Sequence, residues 1–170
     1  MRTLTTVFAL SVVIPAWADE PKKAETTKIE LADAKADVQF PDKPAKKEVE
    51  GGVQYLLEAM GGKAVYLATA NPWPDKTDLT NRDFVKTVFE NAVGGLEKSL
   101  KSKKLADKES KFADKYPTRD VDLEVTGLGI YRTKWVMTPG AFVQLVVAGP
   151  KDFVDAAEAK SFMESLKIKD

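Results

Sequence analysis

From Val53 the chain reads Val-Gln-Tyr-Leu-Leu-Glu-Ala-Met, then Gly61-Gly62, then Lys-Ala-Val-Tyr-Leu-Ala-Thr-Ala to Ala70. Two apolar runs of strand length flank a glycine pair free to take positive φ, which predicts a tight hairpin. Pairing across it sets Leu57 against Tyr66 on one face and Leu56 against Leu67 on the other. Apolar groups on both faces call for a sheet covered at least partly on each side. Asn71-Pro72-Trp73-Pro74-Asp75 then ends the strand, because proline cannot donate to a ladder.

The period next changes to 3.6. Phe84, Val85, Val88, Phe89, Ala92, Val93, Leu96 and Leu100 fall on one stripe, predicting a long amphipathic helix that buries Phe84, Val88, Phe89, Val93 and Leu96. Thr80 with Asp83 has the spacing of a capping box. Gly94-Gly95 costs about 1 kcal/mol per glycine relative to alanine, so it calls for a kink or a close backbone approach. The lysine-rich stretch from Lys98 to Lys104 reads as a solvated fray.

Beyond Lys108 the period falls to two. Val121, Leu123 and Val125 alternate with Asp120, Asp122 and Glu124, and Tyr131, Thr133, Trp135 and Met137 alternate with Ile130, Arg132, Lys134 and Val136. A three-residue loop Gly127-Leu128-Gly129 predicts Glu124 opposite Arg132 and Asp122 opposite Lys134, with Val125 by Tyr131 and Val121 by Trp135. Pro139-Gly140 turns the chain into a strand over Phe142 to Ala148. After Gly149-Pro150, Asp152 or Asp155 is expected to cap a closing helix that lays Ala159, Phe162, Met163 and Leu166 on the sheet. These elements amount to an α+β fold, an antiparallel sheet of five to seven strands packed between helices.

The first residues change where this fold is expected to work. An early Arg2, an apolar run from Leu4 to Ile14, Pro15 and then Ala16-Trp17-Ala18 read as a signal peptide over residues 1–18, cleaved between Ala18 and Asp19. The run is shorter than the roughly 20 apolar residues that cross a bilayer. Residues 19–35 read as a charged leader ending in a short first strand, and 36–170 as one domain, with a charged linker from Lys46 to Glu50. The exported chain is periplasmic or secreted, with no membrane span after cleavage.

Composition narrows the chemistry. The 170 residues hold 26 basic and 26 acidic side chains, and losing Arg2 leaves 25 against 26, which offers nucleic acid no electrostatic footprint. There is no cysteine, so an exported chain here does without disulfides. There is no histidine, which removes Ser-His-Asp hydrolysis, His-ligated zinc and imidazole acid–base catalysis together.

Three places could still carry function. Asp120, Asp122 and Glu124 form an acid cluster able to bind Ca²⁺ or act as a glycosidase pair, yet Arg132 and Lys134 neutralise it in the expected register. Gly149-Pro150-Lys151-Asp152 has one glycine, a missing N–H and a carboxylate where an anion would sit, so it reads as a helix start. Trp73, held between two prolines, is the residue expected to contact a partner.

Phe40-Pro41 with Lys43-Pro44, the two-glycine hairpin ending in Asn71-Pro72-Trp73, Tyr116-Pro117 with Arg119-Asp120, and Gln144-Leu145-Val146-Val147 with Gly149 followed by the closing helix resemble the PsbP/Mog-type fold family. Thr118 stands where such domains usually have glycine, and Leu166 where the closing motif usually has phenylalanine. The resemblance spans roughly residues 36–168. It implies an antiparallel sheet between helices in small exported bacterial domains, with no shared catalytic residues; PsbP proteins serve photosystem II and Mog-type proteins bind the Ran GTPase. The combined expectation is a non-catalytic exported binding or assembly module, monomeric and without cofactor, whose partner is a protein or envelope component. Its alternatives are a carboxylate-dependent enzyme on envelope glycans, or a carrier of a small apolar ligand between sheet and helix.

Overall fold

The computed structural model describes residues 26–49, 52–73 and 77–169. The stretch read as a signal peptide, its expected cleavage point and most of the segment read as leader lie outside the described residues. Among those described, a seven-stranded antiparallel sheet runs β3 (Ala45–Val49), β4 (Gly52–Ala59), β5 (Ala64–Pro72), β9 (Ala141–Gly149), β8 (Gly129–Met137), β7 (Tyr116–Val125) and β6 (Lys103–Phe112). A second sheet of three strands sets β2 (Ala36–Phe40) between β1 (Thr27–Leu31) and β10 (Lys167–Ile168). The first strand therefore falls inside the segment read as leader.

The β4–β5 hairpin has the register its pattern requires, with Leu56 opposite Leu67 and Leu57 opposite Tyr66. Helix α1 (Arg82–Leu100) covers one face, where Phe89 and Val93 pack on Val121, Leu123, Trp135 and Met137. The other face carries α2 (Lys151–Val154), α3 (Ala157–Glu164) and the small sheet. Rings fill that layer: Phe40 and Phe162 lie 4.8 Å apart, Tyr66 and Phe153 5.1 Å. Val154, Ala159, Phe162, Met163 and Leu166 are buried against them. A seven-stranded antiparallel sheet between helices is the fold class that the hydrophobic pattern predicts.

Several local expectations are corrected. Asn81, not Thr80, caps α1, its side chain accepting the N–H of Phe84 at 3.1 Å, while Asp78 accepts from Thr80. Phe84 sits in the first turn, before the helix meets the sheet, and is exposed. The helix runs unbroken through Gly94-Gly95, and a Cβ at either would meet nothing within 4 Å, so no close approach explains the pair. Neither Asp152 nor Asp155 is an N-cap, because the closing segment splits into two helices whose N-cap residues are Pro150 and Ala156, neither with a side-chain cap.

Most of the stretch read as a linker is the edge strand β3, and the stretch read as a fray closes α1 at Leu100 and enters the other edge strand, β6, at Lys103. Both are exposed along most of their length and rich in lysine, as edges protected against further pairing are. Without a buried face they show no period of two.

The β7–β8 register is two residues from the expected one. Val125 pairs with Gly129, which brings Asp122 opposite Arg132, Asp120 opposite Lys134 and Glu124 opposite Ile130. Gly129 is the cause: it belongs to the strand rather than to the loop, at φ 107°. A Cβ there would stand 2.4 Å from the Gly149 carbonyl oxygen, so only glycine lets β8 begin at that point. A slip of two keeps every side chain on its face, so the charged and apolar sides are as expected.

Candidate functional site

On the face shared with α2 and α3, β7 and β8 present a row of charged side chains. Arg132 holds Asp122 by three contacts, Nε to Oδ1 at 3.0 Å and to Oδ2 at 3.2 Å, and Nη2 to Oδ2 at 2.9 Å. Its Nη1 donates to the Val154 carbonyl at 3.1 Å and Nη2 to Asp155 at 3.2 Å, fastening α2 to the sheet. Asp155 also accepts from Lys151, and these two cations, Lys151 first, hold its carboxyl below the ordinary range. Asp122 and Arg132 are thus a satisfied structural pair.

Asp120 is different. Lys134 stands 3.8 Å away, beyond hydrogen-bond reach, and donates instead to the Met163 carbonyl at 3.3 Å. Among the described residues nothing donates a hydrogen bond to Asp120, whose side chain is 40% exposed. Burial pushes its carboxyl above the ordinary value although Lys134 and Lys108 oppose the shift. It lies in a groove of about 330 Å³ between β6–β8 and α3, walled by Lys108 on one side and Lys160 and Glu164 on the other, with Ala106 and Met163 as apolar surface. Glu124, third of the sequence cluster, is exposed and faces Lys103 across the β6–β7 pair.

Two further clusters are structural. Arg119 binds Asp107 by two bonds of 2.7 and 2.9 Å and reaches Glu109 at 3.2 Å, pinning β6 to β7. Asp37, almost buried, is held by Lys28 at 2.7 Å and Lys169 at 3.0 Å, and Lys169 also reaches Glu30 at 2.7 Å. This clasp joins the residue that follows β10 to the β1–β2 hairpin. Beside it lies a second groove, of about 560 Å³, bordered by Lys35, Tyr116, Thr138, Gly140 and Lys169.

Trp73 is half-buried. Its indole N–H donates to the Thr138 carbonyl at 2.8 Å and its backbone N–H to Gly140 at 3.1 Å, while its ring meets Phe84 at 6.1 Å and Phe142 at 5.9 Å. It locks the end of β5 onto the β8–β9 turn and α1. Lys151 pairs with Asp155, one turn along. Of the groove residues, sequence reasoning singled out Asp120 but passed over Lys108 and Lys160, whose only mark was a lysine in a polar run. Among the described residues no cluster of three or more Asp or Glu is set to hold a metal ion, and no helix is long and apolar enough to cross a membrane.

No family model matches the chain, and no curated protein matches its sequence. In structure it is similar to a cyanobacterial PsbP from Synechocystis sp. PCC 6803, with a TM-score of 0.60 at 10% identity over 86% of this chain and 94% of that one. A protein of unknown function from Pseudomonas aeruginosa gives 0.43 at 18% identity, over 79% and 90%. At such identities the likeness is one of fold, and the chain has the PsbP-type fold.

Proposed function

We propose that the protein is a non-catalytic exported module that binds a protein or envelope component in the groove between β6–β8 and α3. The observation that carries this is Asp120: a half-buried carboxylate that receives no hydrogen bond among the described residues, in an open groove beside lysines. Polar groups left unmatched inside a concavity are what a ligand completes.

Hydrolysis of glycans is supported less well, because it asks for two working carboxylates and Arg132 engages both oxygens of Asp122. A carrier of apolar ligands needs empty apolar space, and the layer between sheet and α2–α3 is occupied by packed rings. Trp73 packs on the α1 face, outside this groove, and enters this reading only as a separate contact beside the exposed Phe84.

Export rests on residues 1–18, and N-terminal sequencing of the mature protein should begin at Asp19-Glu20-Pro21. For the groove, the immobilised exported chain should retain a component of the native envelope fraction that a Lys108→Glu, Lys160→Glu double variant does not. Equal retention by both would remove the groove from the function.

A further inference from the structure

We propose, resting on the reading of this groove as the binding site, that its ligand is zwitterionic: an amino acid or short peptide whose ammonium meets Asp120 and whose carboxylate meets Lys108 and Lys160. The inference comes from which polar groups in the groove are spent and which are not. Arg132 is occupied by Asp122, Asp155 and the Val154 carbonyl. Lys134 gives one donor to Met163 and forms with Asp120 a long ion pair of 3.8 Å without a hydrogen bond. What remains among the described residues are two acceptors, Asp120 on β7, with about four lone-pair sites and no donor, and the more exposed Glu164 on α3. Beside Asp120 stand Lys108, its cross-strand neighbour on β6, whose charge reaches it through space, and Lys160 on α3; neither ammonium comes within 4 Å of a carboxylate among the described residues.

The charges lining the groove nearly cancel. Four cations, Lys108, Arg132, Lys134 and Lys160, face three carboxylates, Asp120, Asp122 and Glu164. A simple anion would gain at the lysines and be repelled by Asp120; a simple cation would gain at Asp120 and be repelled by the lysines. A ligand with one charge of each sign gains at both ends, and its neutrality matches that of the groove. The volume of about 330 Å³ lies at the small end of ligand sites, which run from roughly 300 to 1,000 Å³. Ala106 and Met163 offer apolar surface for a short aliphatic side chain.

The test is a titration of isotope-labelled exported protein with L-alanyl-L-alanine, its N-acetyl form, its C-terminal amide and free L-alanine, followed by amide chemical shifts. Saturable shifts at Lys108, Asp120 and Lys160 are expected, with each blocked dipeptide binding at least fivefold more weakly. Asp120→Asn should abolish the penalty for N-acetylation, and Lys108→Gln with Lys160→Gln the penalty for amidation, each leaving the other penalty in place. Tighter binding of alanine than of the dipeptide identifies a free amino acid as the source, and the reverse order a peptide terminus. Blocked forms that bind as tightly as the dipeptide, or no saturable shift at the groove, overturn the proposal. If the dipeptide fails while the Lys108→Glu, Lys160→Glu variant still loses its envelope component, the ligand class falls and the binding module stands.

Discussion

Asp122 and Glu124 separate the two registers open to β7 and β8. In the structure Arg132 holds Asp122, and Glu124 is exposed. Asp122→Ala should cost about 1–3 kcal/mol, the range for a hydrogen-bonded charge that loses its partner, and Glu124→Ala less than ~0.5 kcal/mol. Urea denaturation of both variants checks this, and a larger loss at Glu124 would restore the register read from the sequence. Trp73→Ala should cost about 2–4 kcal/mol, since the ring packs on Phe84 and Phe142 and is only half-buried. A neutral effect on stability would return Trp73 to the role of a free contact. Alternation along the strands assigned both carboxylates to the correct face, but which residue stood opposite Arg132 hung on one glycine meeting a backbone oxygen, and that contact lies between β8 and β9.

Helix α1 shows an element whose sequence asks for less than the fold tolerates. Gly94 and Gly95 occupy helical backbone, and a Cβ at either position meets open space. Replacing both by alanine should therefore stabilise the protein by about 1–2 kcal/mol, chiefly by restricting the unfolded chain. Thermal denaturation of the double variant reads this directly; destabilisation would mean that the helix needs its glycines to bend. The strands divide by position in the sheet. Central β5, β8 and β9 are buried and carried a legible apolar pattern. Edges β3 and β6 bury almost nothing, so their polar composition was indistinguishable from that of a loop.

At the scale of the molecule, the Asp37 clasp ties the residue that follows β10 to the β1–β2 hairpin. Lys28 first, then Lys169, lower the Asp37 carboxyl below its ordinary value. A carboxylate whose folded-state value is depressed adds stability above its unfolded value, near pH 4, and that stability is lost as pH falls through the lower folded value. Asp37→Asn should thus destabilise the protein at pH 7, with the difference from the parent shrinking below about pH 4. Urea midpoints across that range measure it, and a gap independent of pH would assign the cost to packing.

Legible in the chain alone were the hairpin register at Gly61-Gly62, the apolar stripe of α1, the alternating faces of β7 and β8 and the buried side of the closing helices. Each follows from periodicity, because a face that must leave water repeats at the period of its own backbone. Long-range pairing and packing were needed to show that β1 and β10 flank β2, that lysine-rich stretches serve as sheet edges, and that Lys108, Asp120 and Lys160 meet in one groove. The β6–β7 ladder sets Lys108 beside Asp120, on an edge strand that shows no period, and the packing of α3 on the sheet adds Lys160.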